Sequence, residues 1–298
     1  MISAYYYNLL ILIGINIILA LGLNLITGYT GQLSLGHAAF MSVGGYASGI
    51  LTVKTGIPFL PALVIGALVA AALGFLVGLP TLRLRGDYLA IATLGFGEIL
   101  RVTFLNLEIT GGPFGLRGLA KETNGLIVFI ATVIALVVIW SLINSRVGRA
   151  MIAIREDEVA AEAMGINTTR YKVLAFVVGA FFAGIAGGLY AHWFRYLNPA
   201  SFGFMKSIEI LCMVVLGGLG STTGAVVGAA TLTYAPEFLR SFFPVISEYR
   251  MLFYGALLVV LMLLRPQGIM GTSEFSPLKV YHWIRSRQGV KTTVGSDS

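Results

Sequence analysis

The chain has 298 residues, of which 57% are hydrophobic and only 11% are charged, and its formal net charge is +7. A soluble domain carries about a quarter charged residues, so this composition excludes a water-soluble globular fold. A positive net charge would suggest a nucleic-acid partner for a soluble protein, but here the basic residues cluster in loops and in the C-terminal tail. The composition therefore predicts a membrane protein with no nucleic-acid partner, whose basic residues set its orientation in the bilayer.

Apolar residues fall in runs of the length that crosses a membrane, because about 20 residues of α-helix span a hydrocarbon core of roughly 30 Å. Eight such runs follow one another along the chain: 5–26, 35–53, 59–79, 89–107, 126–143, 173–194, 208–234 and 251–264. Strands of a membrane barrel would alternate apolar with polar residues, and these runs do not. The sequence therefore predicts an all-α fold, a polytopic bundle of membrane helices.

Lysine and arginine are concentrated in the loop between the fifth and sixth segments and in the C-terminal tail. Both regions should be cytoplasmic, because positive charge accumulates on that side, yet the three segments between them would put them on opposite sides. The long segment 208–234 contains GGLGSTTG (217–224), whose glycines favour a turn between two shorter helices. This split gives nine segments, or ten if the 28–36 stretch also breaks, so we predict 8 to 10 segments with broken or re-entrant helices.

The charged stretch REDEVAAEAMGI (155–166) stands out in the predicted cytoplasmic loop. Its acidic residues suit a helix N-terminus, and Gly165 is placed as a C-terminal stop. Val159 and Ala163 are four residues apart and form an apolar stripe with Met164. A helix of about nine residues is marginal in water, so it needs a packing surface unless the stretch is only a solvated loop.

Several stretches, in this order and spacing, resemble the LivM-type permeases of branched-chain amino acid ATP-binding cassette (ABC) transporters. They are NLITGYTGQLSLGHAAFMSVGGYASG (24–49), LRGDYLAIATLGFGEILR (84–101), TGGPFGL (110–116), GRAMIAIREDEVAAEAMGI (148–166), VVLGGLGSTTGAVVGA (214–229) and RPQGI (265–269). Within the fourth, EVAAEAMGI resembles the EAA loop of ABC importer permeases, a cytoplasmic coupling helix that docks on the ATP-hydrolysing subunit. The resemblance extends to about residue 271.

The resemblance implies an ABC importer permease fold and an inner (plasma) membrane subunit that forms half of the translocation pathway for leucine, isoleucine and valine. The implied partners are a LivH-type second permease subunit, two cytoplasmic ATPase subunits, which bind the ATP, and an external substrate-binding protein. Relatives also move urea or aromatic acids, and these substrates remain alternatives. We predict a permease domain at 1–271, with its coupling loop at about 144–172, and a basic, flexible cytoplasmic tail at 272–298.

The resemblance also assigns the residues of the coupling contact. They are the polar rim Arg149, Arg155, Glu156 and Asp157, the apolar anchor Val159, Ala163 and Met164, and the helix stop Gly165.

No enzyme motif is present in the sequence. GxxxxGK[ST], HExxH, CxxC and GxSxG are all absent, and the three histidines are too far apart for a closely spaced metal site. We therefore predict a non-enzyme without its own cofactor or metal, driven by an ATPase partner or, alternatively, by an ion gradient.

An ion-coupled secondary transporter would need ionisable residues inside the membrane. Glu98 and Arg101 are three residues apart on one predicted helix, and mutual neutralisation is favoured over a proton relay. Glu98 is still a candidate for the translocation pathway. Glu209 is predicted near the interface, where it could meet Arg195 or Lys206.

The glycine-rich stretch GYTGQLSLG (28–36) is polar but uncharged. Small residues permit close helix packing, and a passive channel would also use such stretches in its filter. A broken helix would instead expose backbone groups to a cavity at membrane depth, where an amino acid could bind them. On that interpretation Gln32, Ser34 and His37 are pathway residues, although a hydrogen-bonded packing role is favoured for His37.

Overall fold

The computed structural model describes residues 2–81, 84 and 86–242. These residues are almost entirely helical, and the only β-pairing among them is the isolated bridge between Leu116 and Leu197. The α-helices are α1 (Ile2–Asn24), α2 (His37–Thr55), α3 (Phe59–Thr81), α4 (Asp87–Asn106), α5 (Gly125–Asn144), α6 (Arg146–Glu156), α7 (Glu158–Ala163), α8 (Thr168–Phe194), α9 (Phe204–Gly217) and α10 (Thr222–Phe242). The prediction of an all-α fold is confirmed for this part of the chain.

Six helical segments in the described residues are long and apolar enough to cross a membrane. They are Tyr5–Tyr29, Phe59–Leu79, Asp87–Asn106, Gly125–Asn144, Thr168–Phe194 and Pro199–Gly217. Several apolar spans of this kind make the chain a multi-pass membrane protein. The predicted segment 251–264 and the predicted tail 272–298 lie outside the described residues, so the count of 8 to 10 segments stays a prediction.

The predicted split of the 208–234 segment is confirmed. Helix α9 ends at Gly217 and α10 begins at Thr222. Between them Gly218 and Gly220 have φ angles of 118° and 78°, a left-handed region that favours glycine. The hydroxyl of Ser221 then accepts a hydrogen bond from the Gly224 amide at 3.0 Å, which caps the new helix.

The 28–36 stretch also breaks, which was one of the two alternatives that the sequence left open. Helix α1 runs into a π-helical turn, Leu25–Tyr29, and α2 does not begin until His37. The Thr30 hydroxyl donates to the Ile26 carbonyl at 2.5 Å. Single π turns inside or at the end of a helix are frequent at functional sites.

Close glycine contacts hold the centre of the bundle together, where α8 packs against α2 and α3. A Cβ added at Gly187 on α8 would overlap the carbonyl oxygen of Met41 on α2. A Cβ added at Gly44 on α2 would likewise overlap the backbone of Gly184. Small residues allow this approach between membrane helices, where packing replaces the hydrophobic effect as the main attraction.

The close contact at Gly187 predicts that adding one methyl group there lowers the stability of the subunit. We expect Gly187→Ala to destabilise the subunit by roughly 1–3 kcal/mol, because extra volume is forced into a packed interior. Thermal unfolding of the purified protein in detergent measures the effect. Gly95→Ala on α4 is the matched control, since a Cβ there meets no atom within 4 Å. Equal unfolding midpoints for the two variants would contradict the close contact.

Two ends of the bundle can be told apart by contacts between distant residues. The carbonyl of Gly28, at the end of α1, lies 2.9 Å from the guanidinium of Arg155 in α6. At the opposite end, the amide of Gly125 donates to the hydroxyl of Tyr7 at 2.8 Å. The Gly220 amide of the α9–α10 turn donates to Asn24, and Lys172 near the start of α8 pairs with Glu158 of α7, so these segments share the side of the bundle that carries α6 and α7.

Candidate functional site

The predicted coupling helix is shorter than expected and follows another helix. Helix α6 continues through Glu156, and the chain bends at Asp157, which has φ −155° and ψ 111°. The Asp157 carboxylate accepts hydrogen bonds from the amides of Val159 at 2.9 Å and Ala160 at 3.0 Å. The predicted helix of about nine residues is therefore too long, because Glu156 ends α6 and Asp157 is the cap, so that α7 has only the six residues Glu158–Ala163.

The predicted end of that helix is confirmed. Gly165 has a φ of +81°, and its amide donates to the Glu162 carbonyl at 2.9 Å. This is the left-handed stop that glycine provides after a helix.

Helix α7 presents its apolar stripe outwards. Val159 is 65% exposed and Met164 is 83% exposed, and Ala160 and Ala163 are also exposed. Only Ala161 is buried against the rest of the protein. In the described part of the chain, nothing covers this stripe, although a six-residue helix with an apolar face needs a partner surface.

Polar contacts fix α7 to the start of α8. The Lys172 ammonium lies 2.6 Å from the Glu158 carboxylate, and the lysine side chain is only 7% exposed. The Thr168 hydroxyl donates to Glu162 at 2.8 Å. Asn167 caps α8 by accepting from the Arg170 amide at 3.0 Å, which keeps the connection between the two helices short. These contacts hold α7 firmly against the start of a membrane helix.

The structure separates the four residues of the predicted polar rim. Arg149, Glu156 and Asp157 are exposed on the same side of the molecule as α7. Arg155 turns inwards instead and donates from Nη1 to the Gly28 carbonyl, while its Nη2 binds the Glu156 carboxylate at 2.7 Å. No local pattern predicts this inward contact, since the two residues lie 127 positions apart.

One cavity is lined both by a predicted pathway residue and by predicted coupling residues. It has a volume of about 210 Å³ and lies between residues 30–32 and residues 154–158. Gln32, a predicted pathway residue, lines it together with Arg155, a predicted coupling residue, and Lys172. The broken end of α1 thus faces the predicted coupling loop across a small polar cavity.

The predicted pathway residues Gln32, Ser34 and His37 are all buried. In the described residues, Gln32 Nε2, Ser34 Oγ and both ring nitrogens of His37 have no hydrogen-bond partner, and the same holds for Thr27 Oγ1. The backbone of Leu19 lies near the His37 ring but outside hydrogen-bonding geometry. The hydrogen-bonded packing role favoured for His37 therefore stays a prediction, with the Leu19 backbone as the neighbour beside its ring.

Unpartnered polar groups are rare in protein interiors and call for an explanation such as a bound solute or water. Thr27 belongs to this group but was not predicted, because a threonine in an apolar run is usually bonded to its own helix.

Glu98 lies apart from this group, on the outer face of α4. Arg101 donates from Nε to both Glu98 oxygens, at 2.9 and 3.0 Å, and a second guanidinium nitrogen contacts the same carboxylate. The predicted pairing is confirmed. The Glu98 side chain is 48% exposed, so an ion pair stands on the surface of a helix with membrane-spanning length.

Glu209 has the second of its two predicted partners. Its carboxylate lies 3.2 Å from the Lys206 ammonium. Arg195 instead donates to the Leu119 carbonyl at 3.3 Å.

The two glycine-rich stretches meet on the α6–α7 side. Asn24 donates to the Ser221 carbonyl and accepts from the Gly220 amide, both at 3.0 Å. The hydroxyls of Tyr29 and Thr222 lie 2.7 Å apart. Each stretch could be singled out from the sequence, but their contact could not.

Comparisons with known proteins identify the family. The family described as "Branched-chain amino acid transport system / permease component" matches residues 5–262. The high-affinity branched-chain amino acid transport system permease protein LivM of Salmonella typhimurium is 40% identical over 266 residues, covering 78% of this chain and 62% of the relative. LivM of Escherichia coli K12 gives the same identity and coverage. LivH of Escherichia coli K12 is 36% identical over 153 residues, covering 51% of this chain and 49% of the relative.

The chain thus spans 62% of the length of the LivM relatives that it matches. No solved structure was found to match it. Because the family match covers most of the sequence and the described helices are those of a multi-pass membrane protein, the chain belongs to the family of branched-chain amino acid transport system permease components.

Proposed function

We propose that the chain is a permease subunit of an ABC importer for the branched-chain amino acids leucine, isoleucine and valine. It lies in the inner (plasma) membrane beside a LivH-type second permease subunit. Two cytoplasmic ATPase subunits bind and hydrolyse the ATP, and an external binding protein delivers the amino acid. The names of the LivM and LivH relatives support the substrate and the pairing of two permeases.

The observation that carries the proposal is the exposed apolar stripe of α7 on a rigid connection to α8. Val159, Ala163 and Met164 are the anchor that enters a groove on the ATPase, and Gly165 ends the helix. The exposed residues Arg149, Glu156 and Asp157 surround this anchor as a polar rim. An apolar centre with a polar rim is the usual anatomy of a protein interface.

The break between α1 and α2 supplies the pathway of this chain. The unpartnered groups of Gln32, Ser34 and His37 can donate to or accept from an amino-acid zwitterion at membrane depth. Glu98 and Arg101 support a second contact, because an exposed ion pair facing lipid would cost a few kcal/mol. We place this face of α4 against the second permease subunit, next to the shared pathway.

The proposal is tested by reconstitution. The chain is co-expressed with the second permease and the ATPases, purified, and inserted into vesicles with the binding protein. ATP-dependent uptake of leucine or valine is the expected result. Uptake driven by an imposed ion gradient without the ATPases would identify a secondary transporter. ATP-dependent uptake of urea or aromatic acids, but not of leucine, would change the substrate.

A serine exchange separates a pathway role from a structural role. The Ser34→Ala exchange removes the unpartnered hydroxyl. It should leave the stability of the subunit unchanged or raise it, because no hydrogen bond within the described chain is lost. Uptake should nevertheless fall about ten-fold, the loss expected when one substrate hydrogen bond disappears. Uptake by reconstituted vesicles and thermal unfolding in detergent give the two readings.

Ser42→Ala is the matched control for that exchange. The Ser42 hydroxyl is also buried, but it donates to the Ala39 carbonyl at 2.7 Å. This variant should lose about 1 kcal/mol of stability and keep its uptake. If Ser34→Ala transports as well as Ser42→Ala, the hydroxyl of Ser34 has no part in the pathway.

A further inference from the structure

Three segments that are distant in sequence meet at one point on the α6–α7 side of the bundle. Arg155, at the end of α6, donates from Nη1 to the carbonyl of Gly28 in the π turn at 2.9 Å. Asn24, just before that turn, is bonded to both Gly220 and Ser221 in the α9–α10 turn. The coupling loop, the break after α1 and the break between α9 and α10 are thus joined by hydrogen bonds into one contact region, formed by Arg155, Gly28, Asn24 and residues 220–221.

Two glycine turns leave just enough room for the arginine side chain. A Cβ at Gly220 would overlap Arg155 Nη1 and lie 3.0 Å from the Gly28 carbonyl oxygen. A Cβ at Gly31 would lie 3.2 Å from Arg155 Cγ. Both glycines also have positive φ, a backbone conformation that other residues rarely adopt. Glycine at these two positions therefore permits the turn and also leaves space for the Arg155 side chain. Close packing of this kind transmits displacement, since interiors are poorly compressible.

The chemistry of arginine suits such a link. The Gly28 carbonyl lies at the C-terminal end of the π turn, where carbonyls lack partners within the helix and a cation is favoured. The planar guanidinium bonds this carbonyl through one nitrogen and the exposed Glu156 carboxylate through another. A lysine ammonium is a point charge on a flexible stem, so it cannot fix two hydrogen bonds in one rigid planar group.

We infer that Arg155 is a positioning residue that carries motion of the docked coupling helix α7 to the breaks at Gly28 and Gly220. This role rests on the proposed function. Arg155 does not hold the ATPase; it couples the α6–α7 bend to the turns beside the unpartnered pathway residues. When α7 is displaced, the guanidinium moves the π turn, and with it the wall of the cavity that contains Gln32.

The test compares Arg155→Gln and Arg155→Lys in the full complex, reconstituted with its ATPases and binding protein. Three quantities are measured: subunit stoichiometry after purification, ATP hydrolysis and leucine uptake. We expect Arg155→Gln to assemble and hydrolyse ATP, but to raise the number of ATP molecules hydrolysed per leucine about ten-fold, since a charge-assisted hydrogen bond is lost. Arg155→Lys should fall between Arg155→Gln and the wild type.

Arg149→Gln is the matched control, because Arg149 is exposed on the same helix. As a rim residue it should lower hydrolysis and uptake together and leave their ratio unchanged. An unchanged ratio of ATP hydrolysed to leucine transported in Arg155→Gln would overturn the inference.

A second variant, Gly220→Ala, keeps Arg155 but displaces its guanidinium, and it should raise this ratio as well. If neither Arg155→Gln nor Gly220→Ala assembles, Arg155 is structural and the inference is wrong. Failure of the wild-type complex to use ATP would instead reject the proposed function.

Discussion

Replacing Ala163 with tryptophan should abolish coupling between the permease and its ATPase. Ala163 is exposed in the middle of the apolar stripe of α7, beside Val159 and Met164. The centre of an interface is packed as densely as a protein interior, so an indole there would prevent docking. Loss of such a central contact costs about 2 kcal/mol or more, which weakens binding roughly 30-fold or more. Titration of the purified ATPase against the permease in nanodiscs measures the affinity, and uptake of leucine measures the consequence.

Two controls separate docking from misfolding. Ala163→Ser keeps the small volume and should bind and transport nearly normally. Val133→Trp places the same indole on α5, whose exposed surface is that of a highly apolar membrane segment, and it should leave ATPase binding unchanged. If Ala163→Trp hydrolyses ATP and transports like the wild type, α7 is not the docking helix.

Lys172→Met should have the second largest effect, through the attachment of α7. The ammonium of Lys172 is almost fully buried and lies 2.6 Å from Glu158, whose side chain is 24% exposed. Removing one partner of a buried ion pair leaves a charge without its counterion, and this costs about 3 kcal/mol. Because the pair joins α7 to α8, we expect faster hydrogen exchange in 158–172 and a large loss of transport. Hydrogen-exchange mass spectrometry of the complex locates the loosened segment.

A double variant decides whether the ion pair is the cause. Adding Glu158→Gln to Lys172→Met removes the carboxylate charge that had lost Lys172, so about 1 kcal/mol or more of the lost stability should return. If the two single effects simply add, the destabilisation comes from lost packing of the lysine stem and not from the ion pair.

Much of the fold could be predicted because each membrane helix is encoded by a continuous run of apolar residues. Apolar length gave the spanning helices, and the glycines at 217–224 gave the turn between α9 and α10, since both signals are local. The Gly165 stop was predicted for the same reason. The bend at Asp157 was missed, because the same acidic residue suits the first turn of a helix and the cap before it.

The candidate site was harder to predict, because its chemistry depends on tertiary contacts. Whether His37 is bonded depends on what other helices place beside its ring, and no pattern within the sequence encodes that. The contact of Arg155 with Gly28 is of the same kind, since a charged loop residue is normally expected to point to solvent.

The length of α8 has a mechanical consequence. With 27 residues at about 1.5 Å each, it extends roughly 40 Å, further than the thickness of a bilayer's oily centre. Gly44 and Gly184 bring the backbones of α2 and α8 into contact, so a tilt of α8 would displace α2 as well. On the proposed function, a tilt that the ATPase imposes at the α7 end of α8 would also move its far end, beside the Leu116–Leu197 bridge.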